Sequence, residues 1–101
     1  MIIFNTTYLV SESSCEAWLE WVRNQHIPFM MSTGYFTLPQ LSKVITEEPQ
    51  DEVSFALQFT AANLHTLNDW NQLYENSFRE ELTRLFGTEV LYFTTLLEIM
   101  E

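Results

Sequence analysis

The sequence predicts an α+β fold with elements in the order β-α-β-β-α-β, and three observations carry that prediction. Val53, Phe55, Leu57 and Phe59 alternate strictly with Ser54, Ala56, Gln58 and Thr60, the period-two pattern of a strand with one buried face. Two other segments repeat their apolar residues every three or four positions, as amphipathic helices do. Turn-forming residues separate these periodic stretches, and no repeat, linker or low-complexity tract interrupts them. A chain of 101 residues with 47% hydrophobic and 15% aromatic residues fits one domain, residues 1–101, with an ordinary core.

Each element has its own reason. Residues 1–10, MIIFNTTYLV, are rich in β-branched and aromatic residues and read as a strand. Ser13 with Glu16 three positions later has the form of a capping box. It opens a helix whose buried stripe is Cys15, Trp18, Leu19 and Val22, with Glu12, Glu16 and Glu20 facing water. Pro28 is expected to stop that helix, because the residue before a proline is biased towards extended geometry. Thr33-Gly34 marks a turn, and residues 35–46 read as a second strand. Pro39 cannot donate to a ladder, so this strand belongs at a sheet edge or carries a bulge. Residues 47–52 form a polar hairpin turn into the alternating third strand.

The second helix is expected from Asn63, its N-cap, to Phe86, with Gly87 as the stop. Leu67, Trp70, Tyr74, Phe78, Leu82 and Leu85 form its apolar stripe. Glu75 with Arg79, and Glu80 with Arg84, stand four apart in the favourable order for ion pairs. The last strand covers residues 89–98, with Leu91, Phe93, Leu97 and Ile99 expected on the core side and Val90, Tyr92 and Leu96 opposite.

Two β-α-β halves joined by a hairpin give the ferredoxin-like arrangement, a four-stranded antiparallel sheet with two helices on one face. Strands one and three are then central and strands two and four lie at the edges. Two helices cover only one sheet face. Strand one carries apolar residues on both sides, Ile2, Phe4, Tyr8 and Val10 against Ile3 and Leu9, so the uncovered face calls for a partner. A homodimer joined sheet to sheet is the simplest answer, since a two-fold axis makes any patch self-complementary.

Met1-Ile2-Ile3-Phe4-Asn5, Trp18-Leu19-Glu20-Trp21, His26-Ile27-Pro28, Thr33-Gly34-Tyr35-Phe36 and Arg84-Leu85-Phe86-Gly87, in that order and spacing, resemble a family of small bacterial proteins known as domain of unknown function 4286. The resemblance spans nearly the whole chain. It implies a ferredoxin-like fold of the dimeric α/β barrel group and no particular activity, substrate or catalytic residue. That group contains cofactor-independent monooxygenases, isomerases, heme-handling proteins and pure binders, so the fold does not choose among them.

Composition narrows function by exclusion. Fourteen acidic against four basic residues give a net charge of −10, which repels phosphate backbones and anionic lipid. Neither nucleic acid nor membrane is an expected partner. The single cysteine, Cys15, allows no intrachain disulfide and fits a reducing, cytoplasmic compartment. Cys15, His26 and His65 lack the close spacing of a zinc site, and neither glycine belongs to a phosphate loop, so no metal or cofactor is expected.

The segment His26-Ile27-Pro28-Phe29-Met30-Met31 is the most unusual stretch, an apolar connection where polar residues are the rule. Phe29, Met30 and Met31 either pack as core or line a binding surface. His26, at the expected end of the first helix, reads as a charged cap favoured by the helix dipole. Its other reading is as the catalytic acid or base. Trp21 lies off the centre of its stripe, partly exposed, and is the tryptophan best placed for binding. Asn5 and Tyr8, with Thr6 and Thr94, are candidates to orient a ligand from the sheet. The chain thus reads as a homodimeric binding module, or alternatively as a cofactor-independent enzyme acting on a small apolar or aromatic molecule.

Overall fold

Residues 1–47 and 51–100 are described by the structure, a computed structural model. Four strands, β1 (Ile2–Ser11), β2 (Thr37–Lys43), β3 (Glu52–Ala61) and β4 (Val90–Glu98), form one antiparallel sheet in the order β2-β3-β1-β4. The centre is β1 and β3, as expected. Of the hairpin turn, residues 48–50 lie outside the described residues.

The edge position of β2 suits its sequence. The register slips between Thr37 and Gln40, at Leu38 and Pro39, and Leu38 takes a left-handed φ of 53°. A proline at an edge bulge withholds no ladder hydrogen bond. The strand itself is shorter than the expected 35–46, and Phe36, just before it, drops into the core.

Between β1 and β2 the chain stays helical far beyond the expected stop. After a 3-10 turn at Glu12–Ser14 come α1 (Cys15–Trp21), a π turn (Val22–His26) and α2 (Ile27–Ser32). Pro28 therefore does not end the helix. It falls in the first turn of α2, directly after the π turn, where Ile27 N–H still bonds to Val22 O and the regular i→i−4 ladder that a proline would break is already offset. The π turn has a packing reason. Trp18, Val22, His26 and Met30 are all buried at steps of four. A straight α-helix turns about 100° per residue, so three such steps would rotate Met30 about 120° off that face. The wider turn absorbs the excess and keeps one face inward. The capping box is absent: Ser13 sits in the 3-10 turn, Ser14 is the N-cap, and no side-chain bond caps it. The arm ends where Thr33 Oγ1 and Ser32 Oγ donate to the carbonyls of Met30 and Phe29, and Gly34 takes φ 80°.

The long helix α3 (Leu64–Phe86) begins as its sequence says, with Thr66 N–H donating to Asn63 Oδ1 at 2.9 Å. It stops at Gly87, whose φ of 56° is open to glycine at little cost. Glu75 pairs with Arg79. The expected Glu80–Arg84 pair is not formed; both side chains are exposed, and water there competes on nearly equal terms. Leu85 is likewise exposed rather than part of the buried stripe.

Both helical elements pack on one sheet face, around Phe4, Tyr8, Trp18, Phe36, Phe55, Phe59 and Trp70. Rings interlock there: Trp18 lies 4.9 Å from Tyr8 and 4.7 Å from Phe55, and Phe4 lies 5.2 Å from Trp70. The register assigns the faces. Phe4, Thr6, Tyr8 and Val10 of β1 stand opposite Leu96, Thr94, Tyr92 and Val90 of β4 on the covered side. The expected faces of β4 are thus reversed. Leu91, Phe93 and Leu97, opposite Leu9, Thr7 and Ile3, lie on the uncovered side, and Ile99 continues their parity. The physical cause is the 3-10 turn Gly87–Glu89, which delivers Val90 to the core.

Candidate functional site

Two helical faces meet in a cleft on the side of the molecule away from the uncovered sheet face. From α3 come Tyr74, Ser77, Phe78 and Glu81, whose spacing of three, one and three places them on one face. From the first arm come His26, Phe29 and Met30. Together they enclose a cavity of about 340 Å³. A neighbouring cavity of about 230 Å³ shares His26, Phe29 and Glu81 and adds Trp21 and Gln25.

His26 is the centre of this cleft, and it is not a charged cap. Its ring lies nearly parallel to those of Trp21, at 4.8 Å and 13°, and Phe78, at 4.9 Å and 26°, and those two rings are themselves 6.4 Å apart, so the three form one cluster. Burial pushes its pKa down to about 4, because the apolar surroundings penalise the imidazolium. The imidazole is therefore neutral near pH 7. The π turn carries His26 inward; a helix that stopped at Pro28 would have left it at an exposed end.

Trp21 is buried, at 4% exposure, not partly exposed. Its Nε1 donates to Glu81 Oε1 at 3.2 Å and so fixes the carboxylate at the rim of the cleft. Phe29 is half exposed and meets Tyr74 edge-on at 5.5 Å. Met30 is buried beneath it, whereas Met31 is exposed and lines neither cavity.

Asn5 and Tyr8 do not join this cleft. Tyr8 is wholly buried in the core, its hydroxyl without a partner and its pKa strongly raised by burial and then by Tyr92. Asn5 lies on the opposite, uncovered face, between Gln58 and Thr95 in register. Its Nδ2 donates to Thr7 Oγ1 at 3.3 Å, and its Oδ1 is buried without a partner. Thr94 lines a separate cavity of about 160 Å³ between α3 and β4, which Trp70, Asn71 and Tyr92 also border.

Tyr74, Ser77, Phe78 and Glu81 escaped the sequence reading as site residues. One signal was available: Glu81 stands three residues after Phe78 and one before Leu82, an acid on the flank of the apolar stripe. Among the described residues no cluster of three His, Cys, Asp or Glu is arranged to hold a metal ion. No helix among them is long and apolar enough to cross a membrane.

The sheet order and the helices on one face define a ferredoxin-like α+β protein, and solved structures share that architecture. A candidate antibiotic biosynthesis monooxygenase from Deinococcus radiodurans superposes with a TM-score of 0.69 at 15% identity, covering 100% of this chain and 94% of the other. An ethyl tert-butyl ether D family protein from Bacillus halodurans gives 0.68 at 12% identity, covering 99% and 100%. A dimeric ferredoxin-like protein from an uncultured marine organism gives 0.66 at 12% identity, covering 100% of both. At such identities the likeness concerns the fold alone. Residues 1–100 match the model of the family described as Domain of unknown function (DUF4286), and the chain belongs to that family. A search of curated proteins finds no match.

Proposed function

We propose that this protein is a homodimeric binding module, a single domain of the cytoplasm, that pairs through the uncovered face of its sheet and holds a small ligand in the cleft beside His26. One observation carries the reading. On that face Leu91, Phe93 and Leu97 are 55%, 56% and 41% exposed, and Ile3 and Leu9 flank them in register. An apolar row of this kind on a sheet is the ordinary mark of an interaction surface. Strands about 4.8 Å apart, rising about 3.3 Å per residue, give the four of them a face of roughly 600 Å². That approaches the ~800 Å² per partner of a standard stable interface. One structural neighbour is described as dimeric, which supports pairing without specifying the face.

His26 favours binding over acid–base catalysis. A histidine with a pKa pushed down to about 4 is a weak base at neutral pH, and no hydrogen bond among the described residues orients its ring. It serves better as an aromatic wall. Native mass spectrometry of the purified protein tests the reading: a species of twice 12.0 kDa, carrying up to one small molecule per protomer, is the expected result. A bare monomer at every concentration would refute it.

A further inference from the structure

The cleft holds one charge, and that charge lacks a counter-ion. Glu81 is partly buried, accepts only from Trp21 Nε1, and forms no ion pair among the described residues. No lysine or arginine lines either cavity. A carboxylate set against aromatic rings without a cation leaves its strongest interaction unmade. Burial keeps His26 uncharged, so the imidazole does not fill that role at neutral pH. The walls are rings in several orientations: Phe29 and Tyr74 meet edge-on, and Phe78 stacks on His26. Such rings attract a cation through their negative faces. The net charge of −10 raises the local concentration of cations further.

We propose that the cleft takes a small organic ammonium ion, its charged nitrogen against the Glu81 carboxylate and its alkyl groups against Phe29, Tyr74 and Phe78. The inference rests on the reading of the cleft as a binding site and is independent of dimerisation. It excludes anionic ligands, which Glu81 and the overall field repel.

Titration calorimetry with the full chain tests it, using choline and its neutral isostere 3,3-dimethylbutan-1-ol as probes. Choline is expected to bind about tenfold or more tightly than the isostere, the size of a desolvated cation–aromatic contact with a carboxylate beside it. Glu81→Gln keeps an acceptor for Trp21 Nε1 while removing the charge. It is expected to weaken choline about tenfold and leave the isostere unchanged. Salt supplies a second measurement on the unaltered protein, needed if the variant fails to fold: choline binding must weaken as ionic strength rises, and the isostere must not. Equal affinity for the two probes would overturn the ammonium proposal while leaving the cleft a binding site. Binding of neither would remove the ligand reading as well.

Discussion

The two faces of this sheet are built from the same three long strands and treat the same kind of residue in opposite ways. On one face Phe4, Tyr8, Phe55 and Phe59 vanish under α1, α2 and α3, and Trp18 is wholly buried. On the other, Leu91 and Phe93 stand more than half exposed with no element of the described chain above them. A leucine or phenylalanine transferred from water contributes about 1.5–3 kcal/mol, so the second face holds back stabilisation that the first has already realised. The difference teaches where a protomer is finished and where it is not. Its folding rests on the covered face, and the proposed association on the uncovered one.

The largest expected effect breaks the covered face. Trp18→Ala removes the ring wedged between Tyr8 and Phe55 and should cost about 3–5 kcal/mol, read from the midpoint of urea unfolding. Since small domains hold only about 5–15 kcal/mol in total, the variant should be largely unfolded at modest denaturant. A loss below 1 kcal/mol would mean that the aromatic cluster is not the centre of the fold.

A second effect follows from pH. The folded pKa of His26 is lowered to about 4, below its unfolded value of 6.5, by burial. Between those values the unfolded chain binds the proton and the native state does not. The contribution of neutral His26 is therefore complete above pH 6.5 and is lost as pH falls towards 4. A fall of that size corresponds to roughly 3 kcal/mol. His26→Phe should flatten that part of the stability–pH curve, and an unchanged slope would contradict the burial of the ring.

How far the sequence reveals this division depends on the element. Strand β3 was legible because its apolar residues occupy one parity only, and β2 because Pro39 can sit only at an edge or a bulge. In β4 large apolar residues occupy both parities, so periodicity alone favoured Leu91, Phe93, Leu97 and Ile99 for the core. Register decides otherwise, since Tyr92 faces Tyr8 and Phe93 faces Thr7. The first helical arm hid its course for a different reason. A π turn inserts its extra residue without any residue type that announces it, and Pro28 carried the usual meaning of a stop. His26 and its neighbours could thus be singled out as unusual, but the cleft could not, because half of it comes from α3.

Smaller effects sharpen the comparison. Asn63→Ala removes the acceptor for Thr66 N–H at the start of α3 and should cost about 1 kcal/mol in thermal or urea unfolding, without altering the oligomeric state. On the uncovered face, Phe93→Glu should change the stability of the isolated protomer by no more than about 0.5 kcal/mol, measured in solution dilute enough to keep protomers apart. An effect on the isolated protomer as large as that of Trp18→Ala would erase the distinction between the faces.

Sedimentation velocity across a wide concentration range, on the unaltered chain and on Phe93→Glu, tests the central claim most directly. The account predicts a dimer of twice 12.0 kDa for the unaltered chain and a monomer for Phe93→Glu with an unchanged circular dichroism spectrum. A folded Phe93→Glu that sediments as the same dimer, or an unaltered chain that stays monomeric throughout, would contradict it.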